Sequence, residues 1–180
     1  MCMLNKTVGS TDEGRIGDES WDAVYRRVAP RLTAYCRRRL PVGDAEDAVN
    51  ETMTRAYAAA PRYRDKGLGV DAWVFGIGRN VVLDAQRRAG RRRPERLAAA
   101  WSPDEPGPLD SVLGDEEAGL LRVAFSRLTP DEQEVLELRV VAGLEADQVA
   151  SVLGKKAGAV RMAQSRALAR LRTLLAEADG

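Results

Sequence analysis

The stretch LTPDEQEVLELRVVAGLEADQVASVLGKKAGAVRMAQSRALARLR, residues 128 to 172, decides the fold. Thr129 and Glu132 form a capping box around a proline at the first helical position, so a helix begins there. Gly143 is placed to end that helix in a left-handed conformation. A short helix from Glu145 to Leu153 follows, and a longer one begins after the next glycine. The stretch therefore predicts three consecutive helices.

The last of these helices is basic on one side and apolar on the other. A short helix, a glycine turn and a longer basic helix form the helix-turn-helix pattern, which places side chains in a DNA major groove. Arg161 points away from the apolar side, and its guanidinium matches the two acceptors on the guanine edge. Lys155, Lys156 and Arg166 suit phosphates better. The alternative is a solvated basic helix packed on its neighbours.

A second basic stretch, DAWVFGIGRNVVLDAQRRAGRRR, covers residues 71 to 93. Its front half has helical apolar spacing and its back half is rich in arginine, which indicates contact with nucleic acid. Gly76 and Gly78 form a glycine pair, but no strand precedes them and the third glycine of a phosphate-binding motif is absent. Close packing of another backbone or of DNA is one reason for glycine at these helical positions.

Two further helices precede this stretch. Ser20 is placed to cap the first, which Pro30 is expected to kink or divide, and Asp44 is placed to cap the second. The second helix has an acidic outer face with three interpretations. In the first, the acids are simply stabilised by the helix dipole, and in the second they dock a basic partner. In the third, Asp44, Asp47 and Glu51 form a carboxylate metal site, but the ligands that would complete it are missing.

These signals predict an all-α fold of two small helical domains joined by a flexible acidic linker, the second domain with the helix-turn-helix. Residues 1–19 are polar and predicted to be a disordered tail, and 20–93 form the first domain. Residues 94–119, acidic and proline-containing, form the linker, and 120–178 the second domain.

Composition removes several classes of function. The 180 residues contain no histidine, so Ser-His-Asp and Cys-His catalysis are excluded, and no catalytic residue, metal or cofactor is expected. The cysteines, Cys2 and Cys36, form no CxxC pair, and Cys36 is expected to be an inert packed thiol. No apolar run is long enough to span a membrane and no signal peptide is visible, so a cytoplasmic protein without membrane insertion is expected.

Three segments together resemble a known family. They are DAEDAVNETMTRAY (44 to 57), AWVFGIGRNVVLDAQRR (72 to 88) and the stretch quoted first. In this order they resemble bacterial RNA polymerase sigma factors, in particular the small extracytoplasmic-function (ECF) type that contains only regions two and four.

The resemblance implies a sigma factor that binds core RNA polymerase, recognises the minus-thirty-five and minus-ten elements of promoter DNA, and promotes melting without catalysis of its own. An anti-sigma factor is the expected regulator. The implied polymerase-binding residues are Asp47, Asn50, Glu51 and Arg55. The implied minus-ten residues are Tyr63, Arg64, Lys66, Trp73, Arg79, Asn80, Arg87, Arg88 and Arg91. The implied minus-thirty-five residues are Lys155, Lys156, Arg161, Gln164, Ser165 and Arg166.

The sequence departs from the family pattern at several positions. Val70 stands where an aromatic residue is frequent, and Gly78 replaces a usual alanine. The recognition helix has Ala159, Met162 and Gln164 where the family is often more polar or basic. Two other functions remain open. One is a stand-alone helix-turn-helix regulator, which is expected to dimerise and bind a palindrome without polymerase. The other is a metal-dependent nucleic-acid enzyme using the acids of the second helix.

Overall fold

The computed structural model describes residues 15–16, 19–92 and 115–178. Two short strands, β1 (Arg15–Ile16) and β2 (Glu19–Ser20), pair antiparallel. The helices are α1 (Trp21–Arg37), α2 (Val42–Ala59), α3 (Gly69–Arg92), α4 (Asp115–Ser126), α5 (Pro130–Leu136), α6 (Ala146–Leu153) and α7 (Ala157–Ala178). A 3-10 turn (Ala60–Arg62) follows α2, and a π-helical segment (Glu137–Val141) continues α5. The predicted all-α class is confirmed.

Helix α1 begins as predicted and does not break. Ser20 Oγ accepts a hydrogen bond from the backbone N–H of Ala23 at 3.3 Å, which caps the helix. Of the kink or division predicted at Pro30, the division is wrong, because α1 runs through this residue as one helix. Pro30 is exposed, so water can replace the backbone hydrogen bond that a proline removes.

Helix α2 begins earlier than the sequence indicates. Pro41 is the N-cap, with an extended backbone, and its carbonyl accepts from the N–H of Ala45 at 2.8 Å. Asp44 therefore lies inside the first turn, where its charge favours the helix dipole, and the prediction that it caps the helix is wrong.

The predicted tail and linker are both too long at their inner ends. Ile16 is only 1% exposed and belongs to the main apolar cluster, so the tail does not extend to residue 19. Helix α4 starts at Asp115, so the linker does not extend to residue 119. Most of the predicted tail and of the predicted linker, including Trp101, lies outside the described residues, in the ranges 1–14, 17–18 and 93–114.

The second helical unit, α4 to α7, has the predicted helix-turn-helix. Thr129 Oγ1 and the Glu132 carboxylate cap α5 reciprocally. Gly143 has φ +61° and Gly154, which ends α6, has φ +64°, so both adopt the left-handed conformation that favours glycine. Helix α7 follows after two lysines.

The second unit packs directly on the first unit, which comprises α1 to α3. Helix α6 lies against α3, and the π-helical segment lies against α1. Buried side chains from both units form one apolar cluster, to which the second unit contributes Leu138, Leu144 and Val149. A smaller cluster around Phe125 and Leu136 belongs to the second unit alone. Within the described residues, no helix combines the length and apolarity needed to cross a bilayer.

Candidate nucleic-acid interface

One face of α2 is left open by the rest of the described chain. The four predicted polymerase-binding residues, Asp47, Asn50, Glu51 and Arg55, are all exposed there. The opposite face buries small and apolar side chains against α1 and α3. Arg55 Nε donates to Glu51 Oε1 at 2.6 Å, an exposed pair one helical turn apart. Because such pairs contribute little to stability, both side chains remain free to exchange partners.

The loop before α3 is shaped by an aspartate that sequence reasoning missed. Asp65 Oδ1 accepts backbone N–H groups from Gly67, Leu68 and Gly69 at 2.9, 3.1 and 3.0 Å. These hydrogen bonds, that of Gly69 foremost, lower the pKa of the Asp65 carboxyl. Gly67 and Gly69 have φ of +82° and +76°. An aspartate two residues before a glycine is a turn signal, so the sequence did carry this information.

The loop brings two predicted minus-ten residues together. The rings of Tyr63 and Trp73 lie with centroids 5.0 Å apart, tilted by 50°. Burial, followed by the neighbouring carboxylate of Asp65, raises the pKa of Tyr63 to about 12. Arg64 and Lys66 are exposed beside this aromatic pair. Tyr63 of the loop and Trp73 of α3, both half-buried, thus form an aromatic pair beside exposed cations, which suits stacking of an unpaired base next to phosphates.

Further along α3, the predicted residues separate into two groups. Asn80, Arg87 and Arg88 are exposed, and Arg87 Nη1 pairs with Asp84 Oδ1 at 3.1 Å. Arg79 instead points into the second unit, where its Nε and Nη2 donate to the two carboxylate oxygens of Glu134 at 2.9 and 3.3 Å. The side chain of Arg91 lies outside the described residues.

Gly78 lets α3 approach the other helices of its unit. A Cβ built at this position would lie 2.8 Å from Leu32 Cδ1 and 3.4 Å from Thr52 Cγ2. A Cβ at Gly76 would have no neighbouring atom within 4 Å. Close packing therefore explains Gly78, with side chains of α1 and α2 as the neighbours, and does not explain Gly76.

The predicted minus-thirty-five residues lie on and before α7. Lys155, Lys156, Arg161, Ser165 and Arg166 are exposed, and Gln164 is half-buried. Gln164 Oε1 accepts a hydrogen bond from Arg139 Nε at 2.9 Å, which fixes this amide. Arg161 is held less tightly, because its Nη2 lies 3.5 Å from Asp147 Oδ1 and both side chains are exposed. Lys155 Nζ pairs with Asp131 at 2.7 Å. Arg161, Gln164 and Ser165 line one shallow depression.

Three polar residues of the second unit that touch the first were also missed. Glu134 and Glu137 are buried, and Gln148 Nε2 donates to the carbonyl of Leu68 at 2.7 Å. Nothing in their local sequence distinguishes them from an ordinary solvated helix face, because their partners are far away along the chain. Among the described residues, no group of three or more acids or cysteines is arranged to hold a metal ion.

Comparison with known proteins identifies the two units. The family model of sigma-70 region 2 matches residues 24–92, and that of sigma-70 region 4 matches residues 124–173. The chain is 40% identical over 160 residues to the ECF RNA polymerase sigma factor ShbA of Streptomyces griseus, an alignment that covers 82% of this chain and 83% of that protein. This chain belongs to the ECF group of RNA polymerase sigma factors.

A second relative and two solved structures agree with this membership. SigD of Mycobacterium tuberculosis is 36% identical over 157 residues, which cover 83% of this chain and 74% of SigD. Among solved structures, RpoE in complex with the anti-sigma factor NepR from Bartonella quintana aligns with a TM-score of 0.68 at 25% identity, over 86% of this chain and 96% of RpoE. CnrH in complex with the cytosolic domain of CnrY aligns with a TM-score of 0.60 at 26% identity, over 89% of each chain.

The membership decides between the functions that the sequence left open. The chain is a sigma factor, and sigma factors are not a family of enzymes. The relatives favour neither the stand-alone regulator nor the metal-dependent enzyme.

Proposed function

We propose that this sigma factor acts without catalysis of its own, by docking the open face of α2 on core RNA polymerase and holding promoter DNA with both units. The observation that carries the proposal is the exposure of Asp47, Asn50, Glu51 and Arg55 on one side of a helix whose other side is fully packed. A basic partner can reach this face without any rearrangement within the first unit.

The loop before α3 supplies the proposed minus-ten site. Tyr63 and Trp73 provide the aromatic surface for an unstacked base, and the exposed amide of Asn80 can read its edge. Arg87 and Arg88 lie further along the same helix, where they can neutralise phosphates. Binding energy gained from the unpaired strand then favours melted DNA over duplex.

The exposed side of α7 supplies the proposed minus-thirty-five site. Arg161 and Ser165 project from the second helix of the helix-turn-helix, and Lys155 and Lys156 lie just before its start. This geometry supports a role for these side chains in reading bases in a major groove, with the cations beside the DNA backbone. The partners proposed for this chain are core RNA polymerase, promoter DNA and an anti-sigma factor, the last in keeping with the complex of RpoE with NepR.

The test is promoter-specific transcription by purified core polymerase, together with direct binding to the core enzyme. Transcripts from a cognate promoter are expected only when this protein is present. The Asp47→Lys/Glu51→Lys variant is expected to lose core binding while its far-UV circular dichroism is unchanged, because both side chains are exposed. Glu177→Lys, exposed near the end of α7 and away from α2, is the control for an added positive charge. Wild-type binding by the double variant would refute the assignment of this face.

A further inference from the structure

The contact between the two units is built on buried charge as well as apolar packing. Arg79 forms two hydrogen bonds with Glu134, and Arg39 Nε donates to Glu137 Oε2 at 2.6 Å. Arg39 Nη1 also lies 3.6 Å from Glu134 Oε1, which links the two pairs. We call these four residues the arginine–glutamate cluster. The arginines belong to the first unit and the glutamates to the second.

The carboxylates of this cluster depend on the first unit for their partners. Glu134 and Glu137 are 9% and 4% exposed, and buried carboxylates are strongly unfavourable unless they are paired. Burial raises the pKa of Glu137, and the charges of Arg39 and Arg38 oppose that rise. The positions of both glutamates therefore match the surface of the first unit specifically, which an accidental contact between two helical units would not require.

Two more contacts join the units beside the cluster. Gln148 Nε2 donates to the carbonyl of Leu68, inside the loop that precedes α3. Arg31 Nε donates to the carbonyl of Ala142 at 2.7 Å, at the end of the π-helical segment. The second unit thus holds the loop of the proposed minus-ten site at one point and α1 at another.

These contacts use the same groups that the first unit needs for DNA. Arg79 directs its Nε and Nη2 at Glu134, so this edge of its guanidinium is not available to a phosphate, and Gln148 restrains the loop at Leu68. We propose that the docked arrangement is an autoinhibited state of the free protein, in which the second unit holds Arg79 and the loop of the proposed minus-ten site, while Asn80 and the basic end of α3 stay exposed. This inference rests on the proposed function of the loop and α3, whereas the docking itself can be measured without DNA.

Docking is measured by energy transfer between dyes on the full-length chain. Arg62→Cys and Ser151→Cys place exposed labelling sites on the first and second unit, in a Cys2→Ser background. The native Cys36 is buried and stays unlabelled under native conditions. Glu134→Lys directs a cation at the arginines of the first unit, so transfer is expected to fall sharply. Transfer equal to that of the parent chain would overturn the inference.

Binding of mixed-sequence single-stranded DNA by the free protein is the second measurement. Docking reduces the apparent affinity for DNA in proportion to the fraction of molecules that are open. Glu134→Lys is therefore expected to bind single-stranded DNA at least about tenfold more tightly than the parent chain. Glu177→Lys makes the same change of charge at an exposed position near the end of α7 and is the control for non-specific attraction. Equal affinities of these two variants would show that docking does not inhibit.

A milder variant keeps the test decisive if the lysine disturbs folding. Glu134→Gln preserves the shape of the side chain and removes only its charge, so both readouts are expected to move in the same direction by a smaller factor. Unchanged transfer and unchanged affinity in this variant would also overturn the inference. Failure of the proposed function appears separately, as transcription that does not depend on the protein while the transfer signal still reports docking.

Discussion

The clearest test of the packing in the first unit is a pair of glycine substitutions in α3. A Cβ at Gly78 would lie 2.8 Å from Leu32 Cδ1, closer than side chains tolerate, and 3.4 Å from Thr52 Cγ2. Leu32 and Thr52 are completely buried, and Thr52 Oγ1 donates to the carbonyl of Ala48 at 2.6 Å. Neither neighbour can move away without disturbing the core.

Two effects of known size oppose each other in Gly78→Ala. Alanine favours the helix over glycine by about 1 kcal/mol, while overpacking a core costs about 1 to 3 kcal/mol. Gly78→Ala is therefore expected to change stability by between about zero and a loss of 2 kcal/mol. Gly76→Ala gains the same helix preference and meets no atom within 4 Å, so it is expected to stabilise by about 1 kcal/mol.

The two variants are compared by urea denaturation followed by far-UV circular dichroism. The free energy of unfolding of Gly78→Ala is expected to be about 1 to 3 kcal/mol below that of Gly76→Ala. Adding Leu32→Val to Gly78→Ala removes the atom in conflict, so part of the loss attributable to overpacking is expected to disappear. Equal stability of the two alanine variants would refute the argument from close packing.

The remaining predictions concern charge, capping and readout. Burial alone would raise the pKa of Asp71, but hydrogen bonds from Arg27 and Arg31 lower it. The stabilisation of the folded state by the ionised Asp71 is therefore fully present above the unfolded pKa of about 3.9, and it is lost as pH falls through the folded pKa. Asp71→Asn is expected to cost about 1 to 3 kcal/mol at neutral pH and less in acid, as measured by urea unfolding; a pH-independent difference would contradict this. Thr129→Ala removes the capping box of α5 and is expected to cost about 1 kcal/mol in the same measurement, whereas an unchanged unfolding midpoint would argue against the cap. Arg161→Ala is expected to weaken use of promoters that rely on their upstream element by about 1 to 3 kcal/mol in transcription assays, and unchanged upstream dependence would remove it as a base reader.

The sequence predicted the second unit well because its signals are local. The capping box at Thr129 and the left-handed glycines at 143 and 154 each depend on residues within one helical turn, and all three lie where they were expected. The prediction for the start of α2 was wrong because two nearby residues can occupy the N-cap position. Pro41 lies three residues before Asp44 and takes this position instead.

The contact between the units was not predictable in the same way. Arg79 and Glu134 are 55 residues apart, and Arg39 and Glu137 are 98 apart, so no periodicity connects them. A glutamate in an amphipathic helix ordinarily faces water, and only the arginines of the first unit make its burial acceptable. The family resemblance implies that Arg79 binds minus-ten DNA, and the guanidinium chemistry that suits DNA also suits a buried carboxylate.

That shared chemistry is what makes Arg79 suitable for an exchange of partners. The guanidinium presents the same two donors to a carboxylate and to a phosphate. The energy regained when Glu134 returns to water offsets much of what is lost when a buried ion pair separates, so such a pair holds the units in register without a large net stabilisation. A leucine and methionine pair in the same place would favour the docked state more strongly and would remove one of the arginines with which α3 can hold DNA. The charged contact therefore fits a surface that must close in the free protein and open on the promoter.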